Sequence, residues 1–272
     1  MNTRMLMPVV LLGIGLIGAG CGQSGPAKGT PPEPVQTETP GTVNEGAPMD
    51  VLSKDMIPTA AGNLSIGFIG HASLMFEFGG KVIHVDPYGK LADYARLPKA
   101  DLVLITHGHP DHLDPAAIAG IRKPDTVVIA AASCAAQVTG AFSMANGETR
   151  EALGIRIEAV PAYNIVNKRD NGTPFHPKGE GNGYVLTFGT TRVYVAGDTE
   201  NTPEMKALTD INIAFLPMNL PYTMTPEMVA DAVTAFKPKV LYPYHFDETD
   251  TARLVELLKD AHGVEVRLRA MQ

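Results

Sequence analysis

The folded part of this 272-residue chain reads as an α+β protein on three observations. It opens with a meander of short β-rich runs, its second half repeats a theme of strands plus helices, and its polar chemistry falls where strands finish. Residues 64–69 and 72–78 are the first two β-rich runs, and Gly79-Gly80 turns the chain into a third, Lys81-Val82-Ile83-His84-Val85-Asp86. The apolar stretch 102–105 is a buried strand. Asp114 with Pro115 behind it starts a helix, the carboxylate capping and the proline at the first helical position. Residues 125–130 form a further strand leading into an alanine-rich helix around Ser133-Cys134-Ala135-Ala136. Another strand at 155–160 ends at Pro161-Ala162-Tyr163-Asn164, and a long polar loop follows over 166–182. Residues 183–188 and 191–196 make a hairpin through Gly189, and 211–216 is a continuous apolar run. Thr225-Pro226-Glu227 opens a helix with Val229, Ala232, Val233 and Phe236 on one face. A strand at 240–244 ends at His245. The last helix carries Leu254, Leu257, Leu258 and Ala261 and stops at Gly263, and 264–270 alternates as an edge strand would.

Ahead of this lies a different composition. Residues 1–20 hold Arg4, then an apolar run and small residues, the sections of an export signal. About fifteen apolar residues interrupted by Pro8 fall short of the ~20 that a bilayer-crossing helix needs. Gly18-Ala19-Gly20-Cys21 resembles a bacterial lipoprotein signal, in which Cys21 becomes the acylated first residue and ties the protein to a membrane. Gly18 stands where such signals carry Leu, Val or Ile, so ordinary secretion to the periplasm or medium stays open. Residues 21–48 are rich in Pro, Gly and Thr and bury too little to offset their ordering entropy, which makes them a disordered tether. Residues 49–272 are one folded domain. A formal charge of −7, without a Lys/Arg cluster, argues against nucleic acid as a partner. Of two cysteines, Cys134 is a buried apolar side chain without a disulfide partner.

The chemistry concentrates in Thr106-His107-Gly108-His109-Pro110-Asp111-His112, which holds three of the eight histidines directly after a strand. Imidazole nitrogen and carboxylate oxygen are the donors a borderline divalent ion takes, and a loop lets alternate side chains converge. His107 and His109 serve one ion. Asp111 and His112, beyond the turn at Pro110, face a neighbouring point.

This motif, followed by Ala196-Gly197-Asp198-Thr199 and by His245 after a strand, resembles the metallo-β-lactamase superfamily over residues 49–272. Gly70-His71-Ala72-Ser73, Val85-Asp86-Pro87 and Phe175-His176-Pro177-Lys178-Gly179 resemble its zinc-dependent, ascorbate-phosphate lactonase-like branch. The resemblance implies an αββα four-layer sandwich, two facing mixed β-sheets with helices outside, and a two-metal site along one edge. It implies His107 and His109 on the first ion, Asp111, His112 and His245 on the second, and Asp198 bridging both. The family's third histidine for the first ion would follow the strand ending at Ala162, where this chain has Tyr163-Asn164. With His84 inside a strand and His262 at a helix end, His71 and His176 remain. His176 is the choice, and Asn164 or water is the alternative. His71 then faces substrate or supports a ligand, and Asp86 orients a ligand histidine through its other ring nitrogen.

The expected activity is hydrolysis of a small ester, lactone or phosphodiester by metal-activated water, with Asp111 and Asp198 as catalytic carboxylates and two divalent ions as cofactors. Zinc comes first, with manganese or iron as alternatives. Loop 166–182 and Met218-Asn219-Leu220-Pro221-Tyr222-Thr223 would roof the pocket, with Lys178 meeting an anionic group on a small-molecule substrate. Two other readings stay open: a diiron redox enzyme on the same fold, against which His109 counts because such relatives carry Glu there, and a non-catalytic metal-binding envelope protein.

Overall fold

The computed structural model describes residues 52–272. The export signal, Cys21, the whole tether and the first three residues of the expected domain lie outside them. Strand pairing follows the chain. The first sheet takes β1 (Ser53–Thr59), β2 (Gly62–Gly70), β3 (Ser73–Phe78), β4 (Lys81–Val85), β5 (Leu102–Ile105), β6 (Val127–Ala131) and β7 (Phe142–Met144) in that order. The second takes β8 (Thr149–Ala152), β9 (Ile155–Ala162), β10 (Gly181–Phe188), β11 (Thr191–Val195), β12 (Ile213–Pro217), β13 (Val240–Tyr244) and β14 (Glu265–Val266), also in order. Each sheet begins as an antiparallel meander and turns parallel, from β4 onward in the first and from β11 onward in the second.

Period-two alternation explains the layers. In β5, Leu102 and Leu104 point into the core shared by the two sheets, while Val103 and Ile105 pack outward on α1 (Pro115–Ile121) through Leu113, Ala117 and Ile118. Asp114 caps α1 by accepting from Ala116 N and Ala117 N. On the far side, α3 (Pro226–Phe236), capped by Thr225, and α4 (Thr251–Leu258), capped by Asp250, bury Val229, Val233, Leu254 and Leu258 against the second sheet. The result is two mixed seven-stranded sheets face to face with helices outside, an αββα sandwich. Phe215 stacks on Tyr242 at 5.0 Å and 10° within the second sheet, and Phe68 reaches Tyr242 across the interface at 5.2 Å.

Several expectations change. The alanine-rich helix is absent. β6 runs to Ala131, and only a single 3-10 turn, Ala135–Gln137, follows, because the chain must return within a few residues to pair β7 with β6 and a helix that short does not propagate. Cys134 is buried there, and burial pushes its thiol up to about 11. The edge strand expected over 264–270 pairs only at Glu265 and Val266; the chain then leaves the ladder, and Arg267 and Arg269 reach Asp55. Strands β1, β7 and β8 and the four-residue α2 (Pro203–Lys206) lie in stretches for which no element was expected.

Asp55 ties the two sheets together. Its carboxylate, on β1, accepts a two-pronged pair of bonds from Arg269 Nη2 at 2.7 and 2.8 Å and another from the Tyr242 hydroxyl of β13. Burial raises its pKa, but the Arg269 and Tyr242 bonds and the charges of Arg269 and Arg267 outweigh that and hold it below the usual carboxylate range. Because the folded carboxyl binds its proton less readily than the unfolded one, this stabilisation is present at neutral pH and lost as pH falls below about 4. Asp55→Asn is expected to cost about 1–3 kcal/mol in urea unfolding at pH 7, with the gap to wild type shrinking towards pH 3.5. A gap independent of pH would contradict the assignment.

Candidate metal centre

The polar side chains of the centre leave strands at one edge of the sandwich. His107 to His112 follow β5, Asp86 follows β4, His71 follows β2, Asp198 follows β11, Asn219 follows β12 and His245 follows β13. Most stand at the carboxyl ends of parallel strands, where loops are free to converge. Two features force them inward. Gly197 takes φ +65°, and a Cβ there would meet Asn182 O at 2.9 Å and Thr106 Cβ at 3.0 Å, so only glycine lets β11 deliver Asp198 against the histidine loop. His71, Asp86 and His245 themselves adopt left-handed φ of 50°, 46° and 47°, reversing the chain as each strand ends.

Two sets of donors result. In one, His107, His109, His176 and Asp198 offer atoms all within 4.8 Å of one another, and His71, Asp111, His112 and His245 do the same in the other. Asp198 stands between them. Its Oδ2 lies 3.3 Å from His176 Nε2, 3.9 Å from His107 Nε2 and 3.5 Å from His245 Nε2, and its Oδ1 lies 3.4 Å from His112 Nε2. Asp111 Oδ2 lies 3.0 Å from His71 Nε2, 3.7 Å from His112 Nε2 and 3.9 Å from His245 Nε2.

These residues fit divalent cations on their own chemistry. His112 Nε2, His245 Nε2 and Asp198 Oδ1 are buried without a hydrogen-bond partner, and all three point into the same small volume. The remaining ring nitrogens are held from behind. His112 Nδ1 donates to Asp86 Oδ2 at 2.8 Å, and Thr106 donates to both Asp86 oxygens, at 2.8 Å from N and 2.6 Å from Oγ1. His107 Nδ1 lies 3.1 Å from that same Thr106 hydroxyl, and His176 Nδ1 donates to Asn164 Oδ1 at 2.9 Å. Each of these rings is thereby turned with Nε2 towards the centre, the nitrogen it can offer a metal ion.

Burial, then repulsion from His112, holds His107 well below the ordinary histidine range. Burial and its neighbour His176 likewise lower His109. Burial also lowers His112, but the Asp198 and Asp86 carboxylates outweigh it and push that ring up to about 9. Burial raises Asp198, and the surrounding imidazoles hold it well below the carboxylate range; His71 and His112 do the same for Asp111. The field at the centre is thus one that favours added positive charge.

His176 therefore presents a ring nitrogen to the first donor set, whereas Asn164 stands behind it: its Oδ1 also accepts from His176 N at 2.7 Å, and its Nδ2 donates to Tyr222 O and Glu200 Oε1. His71 faces the centre, its ring centroid 3.7 Å from that of His245 at a tilt of 39°. Lys178 corrects the sequence reading. Its ammonium binds Glu204 Oε1 at 2.7 Å and lies over the Tyr163 ring, away from the cluster, because Glu204 at the start of α2 offers a carboxylate nearby. A cavity of about 310 Å³ opens above the donors, lined by Arg169, Phe175 and Tyr222 from the expected roof and by Asp247 opposite.

Glu200 is the residue that sequence reasoning missed. Fully buried, its carboxylate accepts from Ile165 N, Val166 N and Asn167 N, each at 2.7 Å, and clamps the root of the loop that carries His176. Its place two residues after Asp198 is a signal only in retrospect. Asn219 plays a similar part for His245, donating to Asp247 Oδ2 at 2.9 Å while its Nδ2 lies 3.4 Å from His245 Nδ1.

Fold and donor set together define a metal-binding domain of the β-lactamase superfamily, and residues 65–245 match the family described as a beta-lactamase superfamily domain. A UPF0173 metal-dependent hydrolase from Pelotomaculum thermopropionicum is 32% identical over 220 residues, 75% of this chain and 96% of that protein. Among solved structures, a Parabacteroides distasonis protein assigned as a metal-dependent hydrolase superposes with a TM-score of 0.78 at 48% identity, over 81% of this chain and all of that one. Igni18, a metallo hydrolase from Ignicoccus hospitalis, follows with a TM-score of 0.64 at 26% identity, over 76% and 94% of the two chains. The chain belongs to the UPF0173 family of metal-dependent hydrolases.

If Glu200 holds His176 in place through the loop root, Glu200→Gln should weaken zinc binding by about 10–100-fold in competition with a chelating dye, with the circular dichroism spectrum unchanged. Unaltered affinity would show that the loop root stands without it.

Proposed function

We propose that this protein hydrolyses a small ester, lactone or phosphodiester at a pair of divalent cations, zinc in the first instance. His107, His109 and His176 would hold one ion, Asp111, His112 and His245 the other, and Asp198 both. The observation that carries this reading is the set of three buried, unpartnered atoms, His112 Nε2, His245 Nε2 and Asp198 Oδ1, the two ring nitrogens 3.4 and 3.5 Å from the Asp198 carboxylate that joins the two donor groups. Bound there, a cation pair lowers the pKa of water from 15.7 towards ~7 and polarises the substrate oxygen that becomes negative in the transition state.

The chain's own groups do the rest. Asp111 remains a carboxylate, lines the cavity and is only partly buried, so it can accept a hydrogen from the attacking water, fix its direction and pass the proton to the leaving group. General acid–base help of this kind contributes about 10²–10⁴-fold. His71, 3.0 Å away, steadies the Asp111 carboxylate from the side facing β2. Phe175 and Tyr222, in edge-to-face contact at 5.1 Å, form an aromatic wall against which a small substrate can lie.

Asp198→Ala is expected to remove at least one metal equivalent per chain by elemental analysis and to drop ester hydrolysis to background, a loss of at least roughly 10³-fold. Full metal content together with full rate would overturn the two-ion scheme. The leader adds a location: acylation at Cys21 would anchor the domain to a membrane by its tether. Cys21→Ser should then shift the protein from the membrane fraction to the soluble one, and an unchanged distribution would rule the anchor out.

A further inference from the structure

We infer that the substrate carries an oxyanion, a carboxylate or a phosphate set apart from the bond that is broken, and that Arg169 receives it. The inference rests on the hydrolase reading above and names the chemistry of its substrate.

Arg169 lines the cavity over the donor cluster, with its guanidinium 4.9 Å from the Phe175 ring, next in sequence to His176. Among the described residues it enters no ion pair, and its side chain donates no hydrogen bond. The other charged groups of that cavity are already engaged. Asp111 pairs with His71, Asp198 with the imidazoles around it, and Asp247 accepts from Asn219 with His71 Nδ1 3.7 Å away. Lys178, the cation that the sequence offered for this role, is spent on Glu204. An unpaired guanidinium on the wall of a site is a planar fork of donors matched to a carboxylate or phosphate.

The backbone beneath it is built to hold that position. Arg169 N donates to Thr173 O and Gly172 N to Arg169 O, both at 2.8 Å, and Lys168 bridges Pro174, so residues 168–174 close on themselves as a short hairpin. Gly172 turns it at φ +82°. Stacking on Phe175 then directs the guanidinium along the aromatic wall, and an anion bound there leaves the neighbouring part of the ligand over Asp111 and Asp198.

The test uses two chromogenic esters of equal length, mono-(4-nitrophenyl) adipate with a remote carboxylate and neutral 4-nitrophenyl hexanoate, on the zinc-loaded wild type, Arg169→Met and Lys178→Met. The wild type should prefer the adipate in kcat/KM by roughly tenfold, the size expected of one charge-assisted contact at an open site. Arg169→Met should lose that preference while keeping its rate on the hexanoate and its metal content, and Lys178→Met should keep it. In parallel, calorimetric titration with adipate and with inorganic phosphate should show weaker binding to Arg169→Met than to wild type, the anion that loses more identifying the group recognised. Equal losses on both esters, an unchanged preference, or no binding of either anion by the wild type would overturn the inference. Arg169-dependent binding without turnover of either ester would instead remove simple carboxylic esters from the hydrolase reading and leave the anion site standing.

Discussion

Asp198 is a carboxylate sunk among four imidazoles at the meeting of two sheets, and a buried negative charge is stable only where positive charge or hydrogen bonds meet it. Much of the surrounding structure answers that demand. Gly197 permits the approach of β11 to Thr106; Thr106 and Asp86 then lock the histidine loop, and Asn164 locks His176 from the other side. The inter-sheet bonds Tyr184 OH to Ile105 O at 2.8 Å and Asn182 N to Thr106 O at 2.9 Å fix the end of β5 against the second sheet. The metal-binding edge is therefore the place where the two halves are registered against each other, and neither sheet contains a complete donor set alone.

The geometry is held at the expense of backbone strain. Three non-glycine residues in the left-handed region at one edge cost of order 1–3 kcal/mol each, and local bonds offset them. His245 N donates to His71 O, His71 N donates to the carbonyl of the terminal Gln272, and the Asp86 carboxylate takes three bonds at once. Gln272 thus braces the second donor set, while Arg269, three positions earlier, joins Asp55 on β1. The short pairing of β14 has its reason here: the chain after Val266 serves these two contacts in place of a longer ladder.

What could be read in the sequence was what is local. The histidine loop carries four donors within six residues, and the glycine before Asp198 marks a turn, so both announce themselves. His176 was reachable because few histidines were left, although the sequence could not show that Asn164 stands behind it and not in its place. Glu200 and Lys178 were not readable for one common reason: their roles depend on partners dozens of residues away. Glu200 binds amides 33 to 35 positions upstream, and Lys178 meets a carboxylate 26 positions downstream. Among the strands, β5, β12 and β13 show as apolar runs because both their faces are buried, whereas β1 and β8 are edge strands with exposed residues at alternate positions and no such signature. The alanines after β6 favour a helix in isolation, and the requirement to pair β7 overrides them.

The long loop between β9 and β10 combines two mechanically separate parts. Its root, Asn164 to Asn167, is clamped by the buried Glu200 and by bonds from Asn164 and Asn167 to the carbonyls of Tyr222 and Thr223, so the root and the loop after β12 move together with His176. Its tip closes on its own backbone bonds, with Arg169 laid over Phe175. A side chain on the tip can change without displacing a metal ligand, whereas a change at the root reaches the donors directly. If the proposed roles of His176 and Arg169 hold, that division would place ligand retention in the buried part of the loop and leave the choice of substrate to an exposed turn of seven residues, whose cost of alteration to the fold is small.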